Sequence, residues 1–252
     1  MKAMVLAAGL GTRLRPLTNN RPKALVEIDG RTLLEITLAR LGEFGIREVV
    51  INAHHFADKL AEYLKTHDDF GMRITISREE ILLDTGGGLK KASHFFLDDS
   101  QSAKAGEPIL VHNVDVLSTI DLADMVKFHA ANQALATLAV QRRKTSRYLL
   151  FDEHRQLCGR RIGEMATAEM VRKTHRLSPL AFAGIHVISP RLFPMLTEEG
   201  AFSIINAYLR LAGAGEKIVA FRADEAYWRD LGRPEELERA ANDLKDRAPA
   251  KS

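Results

Sequence analysis

Near the start of the chain stands MVLAAGLGTRLRPLT, residues 4–18, and the short run RPK, residues 21–23, follows it. The apolar residues that open this stretch are typical of a fully buried strand. Gly9 and Gly11 have no Cβ, so the backbone there can adopt positive φ and approach a bound molecule closely. A turn of this kind presents its N–H groups to an anion. The stretch therefore predicts a first strand that ends in an anion-binding turn.

Cationic side chains follow this turn at once. Arg13, Arg15 and Lys23 place positive charge beside it. Open α/β sheets bind their ligands at the carboxyl ends of the strands, so these cations would face a bound phosphate group. The pattern is neither a dinucleotide-binding fingerprint, because its third glycine is absent, nor a P-loop, because no Gly-Lys-Ser/Thr follows. The combination predicts a cradle for a nucleoside triphosphate.

Length and composition narrow the class of protein. The 252 residues are enough for one large α/β domain, and 46% hydrophobic with 27% charged residues is ordinary for a globular protein. The formal charge of +3 is too small to indicate nucleic acid as a partner. A single cysteine, Cys158, fits a reducing cytoplasm. We also expect neither a signal peptide nor a membrane helix, because no apolar run approaches about 18 residues.

Strand-like and helix-like segments alternate along the chain with short links. Helical periodicity or capping signals occur at 32–44, 56–65, 121–132, 202–212 and 235–245, and apolar runs at 24–28, 48–52, 72–77, 108–112, 135–142, 148–151, 181–188 and 217–221. This alternation predicts a doubly wound α/β fold. Residues 98–107 are small and polar and predict a mobile surface loop.

Three further motifs stand at positions where ligands are expected. Three consecutive glycines, Gly86 to Gly88, predict a loop whose bare backbone lies against a flat group, with a flexible linker as the alternative. Asp115 follows the buried strand 108–112 and would lie at the ligand edge of the sheet, although it could instead cap the next turn. The third motif is Trp-x-Asp-x-Gly at 228–232.

Together, the Gly-x-Gly-Thr-Arg, Pro-Leu-Thr, Pro-Lys and Trp-x-Asp-x-Gly motifs resemble those of the sugar-1-phosphate nucleotidyltransferases, the NDP-sugar pyrophosphorylases. The resemblance extends from Met4 to about Leu244, and is strongest to compact N-acetylmuramate-1-phosphate uridylyltransferases and mannose-1-phosphate guanylyltransferase-like members. It implies a Rossmann-like, three-layer α/β/α fold with a mixed, mostly parallel central sheet. It also implies one domain over 1–246, with nucleotide-binding (1–117) and sugar-binding (118–232) parts, a helix at 234–246 and a frayed tail at 247–252.

The resemblance also implies roles for individual residues. Arg13 and Lys23 would be catalytic, and Asp115 and Asp230 would bind Mg²⁺. The residues implied to bind the nucleotide are Leu6, Ala8, Gly9, Gly11, Thr12, Arg13, Lys23 and Gly87, and those implied to bind the sugar are Asn113, Arg147 and Gly184. The chain departs from the family pattern at Val114, where glycine is usual. Arg147 closes the basic run 142–147, which is either a solvated rim or a part of the site that faces the sugar phosphate.

The implied reaction joins a sugar 1-phosphate to a nucleoside monophosphate taken from UTP, GTP or dTTP, in a cytoplasmic monomer or small homo-oligomer. Phosphate is already a competent nucleophile, so the absence of a visible Ser-His-Asp or Cys-His set is no obstacle. Two alternatives stay open at this point. One is a non-catalytic nucleotide-sugar-binding regulator, and the other is a glycosyltransferase, for which Asn113-Val114-Asp115 is half of an Asp-x-Asp motif.

Overall fold

The structure is a computed structural model that describes residues 1–97, 106–163 and 167–247, with side chains up to residue 243. The predicted loop at 98–107 falls mostly, and the predicted tail at 247–252 almost wholly, outside the described residues. The helices are α1 (Leu33–Glu43), α2 (Ala57–Thr66), α3 (Asp84–Lys91), α4 (His94–Leu97), α5 (Leu122–Asn132), α6 (Ile204–Gly213) and α7 (Pro234–Arg247).

The strands follow the predicted alternation, with additions in the second half of the chain. They are β1 (Lys2–Leu6), β2 (Glu27–Ile28), β3 (Arg31–Thr32), β4 (Glu48–Ala53), β5 (Arg73–Arg78), β6 (Ile109–Asn113), β7 (Val116–Ser118), β8 (Ala136–Gln141), β9 (Arg147–Phe151), β10 (Leu157–Ile162), β11 (Glu169–Met170), β12 (Ser178–Ile188), β13 (Ile218–Arg222) and β14 (Trp228–Asp230). Short pairs form between β2 and β3 and between β7 and β14, outside the main sheet.

The main sheet has 10 strands in the order β11-β10-β9-β12-β6-β1-β4-β5, with β8 beside β12 and β13 beside β8. Strands β5, β4, β1 and β6 pair in parallel, as do β8 and β13. Strand β12 is antiparallel to β6, β8 and β9, and β10 is antiparallel to β9 and β11. Most strands therefore share one direction, which confirms a mixed, mostly parallel sheet.

Helices cover both faces of this sheet. Ala3 and Val5 of β1 point to one face and pack with α1, α2, α5 and α7, whereas Met4 points to the other and packs with α3 and α6. Strands that are buried on both faces are near-continuously apolar, which explains why the runs could be recognised in the sequence. The predicted three-layer α/β/α architecture is confirmed.

The helix boundaries show why the local predictions succeeded. The Thr32 hydroxyl accepts a hydrogen bond of 3.0 Å from the Glu35 N–H and caps α1. Gly45, at φ +74°, follows that helix. His129 of α5 is buried, with its Nδ1 2.9 Å from the Thr137 hydroxyl.

Some local predictions were wrong. Residues 24–28 were expected as one strand, but Lys23–Leu25 form a 3₁₀ turn ahead of the two-residue β2. Strands β10, β11 and β14 had no predicted counterpart, because their sequences are charged or short and carry no alternation. Within the described residues, no helix combines the length and the apolar character that crossing a bilayer requires.

The glycine run was also misjudged, because Gly86, Gly87 and Gly88 lie inside α3 and are buried. A Cβ on Gly86 would lie 2.2 Å from the Phe202 ring, and one on Gly87 would lie 2.5 Å from the Gly200 carbonyl oxygen. A Cβ on Gly88 would lie 2.6 Å from the Glu79 carboxylate. The three glycines are therefore required for the close packing of α3 against Phe202, Gly200 and Glu79, and they do not form a loop.

We predict that Gly87→Ala lowers the free energy of unfolding by about 1–3 kcal/mol, because the new methyl group would overlap the Gly200 backbone. Urea denaturation followed by circular dichroism measures this. Gly213→Ala is the matched control, since its Cβ would meet Val171 at an ordinary 3.4 Å and alanine favours a helix. Equal stability of the two variants would contradict this packing role.

Candidate active site

The turn after β1 is fixed by the buried side-chain amide of Asn52. Asn52, at the end of β4, accepts a 2.7 Å hydrogen bond from the Ala7 N–H and donates one of 2.7 Å to the Glu79 carboxylate. The other Glu79 oxygen accepts from the Leu83 N–H at 3.0 Å. Asn52 and Glu79 are only 3% and 4% exposed, so this Asn52–Glu79 relay rigidly ties the β1 turn to the start of α3.

Lys23 and Asp115 meet in an ion pair beside this turn. Lys23 opens the 3₁₀ turn that follows Pro22, and Asp115 follows β6. Their side chains are 11% and 19% exposed, so the pair is largely removed from water but still reachable by a ligand. Val114 occupies the position where glycine is usual, and its side chain packs in the core while its N–H donates to the Leu6 carbonyl at 3.1 Å.

Asp230 reaches the same place from the far end of the chain. Strand β14 pairs with β7 so that Asp230 stands opposite Val116, the residue after Asp115. The Leu231 N–H donates to the Asp115 carbonyl at 2.8 Å, which extends the pairing to Asp115 itself. The two aspartates predicted to share a site are therefore brought together by strand pairing.

Arg13 lies beside Asp230 because Gly232 leaves room for it. A Cβ on Gly232 would lie 2.6 Å from the Arg13 Nη2 atom and 2.8 Å from the Asp230 Oδ1 atom. The Gly232 N–H donates to that same Oδ1 at 2.8 Å. The glycine of the Trp-x-Asp-x-Gly motif thus both orients the carboxylate and admits the guanidinium.

Two cavities open at this edge of the sheet and meet at Asn113 and Asp115, and we name them the nucleotide-side and sugar-side cavities after the ligands that the resemblance leads us to expect. The nucleotide-side cavity, of about 350 Å³, is lined by Leu6, Ala8, Gly9, Lys23, Asn52, Leu82, Asp84, Thr85, Asn113, Val114, Asp115 and Ala201. The sugar-side cavity, of about 510 Å³, is lined by Asn113, Asp115, Val116, Arg143, Thr145, Arg147, Tyr148, Leu149, Arg160, Ile162, Phe182, Ala183, Gly184, Ser203, Ile205, Trp228 and Asp230.

The sugar-side cavity forms where β12 changes partner. Ile185 of β12 pairs with β6, and Ala181 pairs with β9, so residues 182–184 face a gap between those two strands. Gly184 adopts φ +75°, and a Cβ there would lie 2.9 Å from the Asn113 amide nitrogen. The close packing of Asn113 at the gap therefore requires glycine at position 184.

Side chains satisfy the backbone that this gap exposes. The Trp228 indole N–H donates to the Ala183 carbonyl at 2.7 Å, and the Arg143 guanidinium donates to the Phe182 carbonyl at 2.9 Å. Arg143 also lies 3.6 Å above the Trp228 ring. Burial lowers the pKa of the Arg143 guanidinium, and nearby Asp230 opposes that shift. Arg143 is thus held rigidly on the carboxylate side of the cavity.

Two neutral imidazoles lie in the sheet beneath the site. Burial lowers the pKa of His112 to about 4, and His112 Nδ1 contacts the Asn113 carbonyl at 2.8 Å. Burial also lowers the pKa of His186 to about 3, and the Tyr208 hydroxyl stands beside its Nδ1 at 2.5 Å. Neither histidine therefore adds positive charge below Asp115 near neutral pH.

The predicted site residues divide into three groups. Leu6, Ala8, Gly9 and Lys23 line the nucleotide-side cavity, and Arg147, Gly184 and Asp230 line the sugar-side cavity, with Asn113 and Asp115 in both. Outside both cavity linings, Arg13 lies beside Gly232, and Thr12 begins a 3₁₀ turn. Gly11 adopts φ +62° and packs against Thr18. Gly87 was assigned to a nucleotide-contacting loop, but it is buried in α3, and Asp84 and Thr85 line the cavity in its neighbourhood.

Four further residues have roles that were not predicted. Asn52 could have been suspected, because a lone amide ends the apolar run of β4. Glu79 gave no such signal. Arg143 lies in the basic run 142–147 and Trp228 opens the Trp-x-Asp-x-Gly motif, but their own roles depend on contacts with residues of β12, which is distant in sequence. Among the residues that the structure describes, no group of three or more His, Cys, Asp or Glu side chains could hold a metal. A cation here would have to rely on Asp115 and Asp230 with water or substrate oxygens.

Comparisons with known proteins identify relatives of this chain over most of its length. A family model described as nucleotidyl transferase matches residues 2–247. The chain is 35% identical over 241 residues to an N-acetylmuramate alpha-1-phosphate uridylyltransferase of Caulobacter vibrioides, covering 92% of each chain. It is 29% identical over 245 residues to a mannose-1-phosphate guanyltransferase of Yarrowia lipolytica, and that match covers 94% of this chain but only 62% of the relative.

Solved structures show the same fold at low sequence identity. HddC from Yersinia pseudotuberculosis, complexed with GMP-PN, superimposes with a TM-score of 0.75 at 19% identity over 96% of this chain and 99% of that one. A UDP-glucose pyrophosphorylase complexed with UDP-glucose gives a TM-score of 0.77 at 19% identity over 97% and 98%. These likenesses confirm the predicted fold class.

We predict that Gly232→Ala lowers kcat/KM for nucleotide-sugar formation at least tenfold, because its methyl group would displace both Arg13 and the Asp230 carboxylate. Steady-state release of pyrophosphate measures the effect. Arg233→Ala, which trims the exposed neighbouring side chain, is the control and should behave like the wild type. Wild-type kinetics in Gly232→Ala would show that activity does not depend on the positions of Arg13 and the Asp230 carboxylate set by this glycine.

Proposed function

We propose substrates and residue roles for this chain, which belongs to the nucleotidyl transferase family. It is a sugar-1-phosphate nucleotidyltransferase, which transfers a nucleoside monophosphate from a nucleoside triphosphate to a sugar 1-phosphate with release of pyrophosphate. The observation that carries the assignment of roles is the meeting of two cavities at Asn113 and Asp115, with Lys23 and Asp230 on either side.

The triphosphate is assigned to the nucleotide-side cavity and the acceptor to the sugar-side cavity. An oxygen of the sugar phosphate forms the bond to the α-phosphorus, and the bond from that phosphorus to the bridging oxygen of the β-phosphate breaks. Lys23 lies at the junction and would stabilise charge on the α-phosphate and the incoming phosphate. Arg13 would bind the departing pyrophosphate, for which its planar guanidinium is suited.

Mg²⁺ is the metal proposed for the two carboxylates. Asp115 and Asp230 provide hard oxygen ligands side by side, and an open cavity leaves room for the several waters that Mg²⁺ retains. Mg²⁺ bound by these two residues would draw negative charge away from the α-phosphate. Lys23 holds the Asp115 carboxylate through their ion pair, and the Gly232 N–H holds the Asp230 carboxylate.

UTP and N-acetylmuramate 1-phosphate are the substrates proposed first. The uridylyltransferase relative matches this chain over 92% of both lengths, whereas the chain spans only 62% of the length of the guanyltransferase relative. Residues 1–117 would form the nucleotide-binding part and 118–232 the sugar-binding part. A cytoplasmic location is part of the proposal, because nucleoside triphosphates are its substrates and Cys158 is a free thiol. A monomer or small homo-oligomer stays the expected assembly.

A panel of substrates tests this proposal. The wild-type protein with Mg²⁺ is given UTP, GTP or dTTP together with N-acetylmuramate, mannose or glucose 1-phosphate, and pyrophosphate release is measured. We expect the highest kcat/KM for UTP with N-acetylmuramate 1-phosphate. A regulator would bind without releasing pyrophosphate, and a glycosyltransferase would require a preformed nucleotide sugar. The absence of pyrophosphate release with every substrate pair would therefore reject the proposed reaction.

We predict that Asp230→Asn reduces kcat roughly a hundredfold or more while the protein stays folded, because the amide keeps a hydrogen-bond acceptor for the Gly232 N–H but loses the charge that holds a cation. Activity is titrated against Mg²⁺, and thermal unfolding monitors the fold. Glu238→Gln, the same change on the exposed face of α7, is the control. Undiminished turnover in Asp230→Asn would remove this carboxylate from the metal site.

A further inference from the structure

Three arginines line the sugar-side cavity, and they differ in how firmly they are held and in whether their charge is neutralised. Arg160 donates to the Glu169 carboxylate and to the Asn206 amide oxygen, each at 2.6 Å, so it is fixed and neutralised. Arg147 is exposed, and its side chain has no partner among the residues that the structure describes. Arg143 is fixed, but no carboxylate within residues 1–97, 106–163 and 167–243 forms an ion pair with it. Of the three, Arg143 therefore combines a fixed position with an uncompensated charge.

Two contacts fix the Arg143 guanidinium and leave part of it unpaired. Its Nη2 donates to the Phe182 carbonyl at 2.9 Å, and its central carbon lies 3.6 Å from the centroid of the Trp228 ring. Its Nε is buried without an acceptor in the described part of the chain, whereas its Nη1, equally unpaired there, is accessible. Burial lowers the pKa of this guanidinium. A partly desolvated charge without a counter-ion is unfavourable, and an anionic ligand in the cavity would offset that cost.

Arg143 also lies at the end of the cavity where the reaction is proposed. Trp228 and Asp230 are two residues apart on β14, so their side chains share a face of the strand, and both line the cavity. Arg143, stacked on Trp228, is close enough to Asp230 for that carboxylate to raise the pKa of the guanidinium against the effect of burial. Asp230 in turn lies beside Asp115, at the junction of the two cavities.

We propose that Arg143 binds the 1-phosphate of the acceptor sugar, through oxygens other than the one that attacks the α-phosphorus. The inference rests on the proposed function and adds to it a substrate-binding residue. A guanidinium can donate parallel hydrogen bonds to two phosphate oxygens. Because the stack on Trp228 and the bond to Phe182 fix Arg143 in advance, little side-chain freedom is lost when the phosphate binds. Lys23 is then left to the attacking oxygen and the α-phosphate.

Two substitutions at position 143 separate charge from shape. Arg143→Gln removes the charge but keeps a planar group with N–H donors, and Arg143→Lys keeps the charge but loses the plane. Arg142→Gln is the matched control, because Arg142 is exposed and does not line the cavity. Pyrophosphate release with UTP and Mg²⁺ gives kcat and the KM of each substrate, thermal unfolding monitors the fold, and calorimetric titration of the sugar 1-phosphate measures its binding without turnover.

We expect Arg143→Gln to raise the KM and the Kd for the sugar 1-phosphate roughly 10- to 100-fold, the value of a charge-assisted hydrogen bond. The kcat and the KM for UTP should stay near those of the wild type, because a contact made equally in the bound and transition states affects binding alone. The loss should be the same for N-acetylmuramate and N-acetylglucosamine 1-phosphates, tested as substrates or competing ligands, since they share the phosphate. Arg143→Lys should retain part of the affinity, and Arg142→Gln should match the wild type.

Unchanged affinity for the sugar 1-phosphate in Arg143→Gln would overturn the inference. A loss confined to the acidic acceptor would place Arg143 on the hexose substituent, and equal rises in both KM values with a lower melting temperature would show a purely structural role; either result also overturns it. If the wild type binds a sugar 1-phosphate but releases no pyrophosphate, the proposed function is rejected, and the Kd values still decide the role of Arg143. A wild type that neither binds nor converts any sugar 1-phosphate overturns both proposals.

Discussion

The pairing of β14 with β7 is the constraint on which the site depends. It spans three residues, and it sets Asp230 beside Asp115 although 115 positions separate them in the chain. Arg229 secures the pairing from the other side of β14. It donates to the Asp243 carboxylate of α7 at 2.8 Å and forms an ion pair of 2.5 Å with Glu236. Helix α7, which contains no cavity-lining residue among those described, thereby fixes a carboxylate in the site.

Bringing two carboxylates together carries an electrostatic cost, since like charges in a partly buried site repel each other. The structure offsets this cost with cations from the amino-terminal stretch, because Lys23 pairs with Asp115 and Arg13 lies beside Asp230. The same cations are those proposed to face the phosphates. For the polyanion and divalent cation proposed above, the site would have its own charges balanced before either arrives, which would limit the reorganisation needed during the reaction.

Features that depend on residues close together in the sequence were predicted, whereas those that depend on contacts between distant segments were not. The buried strands, the Thr32 cap and the glycine turn depend on neighbours within a few residues, and these were recognised. The positions of Lys23, Asp115 and Asp230 were expected from combined motifs and a family resemblance, and the structure brings them together. The loop predicted at Gly86 to Gly88 was wrong, because in a sequence a glycine run that permits close helix packing looks the same as one that forms a loop. The Asn52–Glu79 relay depends on parallel β4 and β5 ending side by side, which no local pattern reveals.

The architecture of β12 explains how the sugar-side cavity forms within a continuous sheet. A strand of 11 residues is long enough to pair with β6 at one end and β9 at the other. The gap between those partners would expose carbonyl groups that normally accept ladder hydrogen bonds, and leaving them unpaired would be costly. Trp228 and Arg143 donate to the carbonyls of Ala183 and Phe182 instead. Trp228 belongs to β14, so the segment that carries Asp230 also lines the sugar-side cavity, and one short strand positions both Asp230 and part of the wall of that cavity.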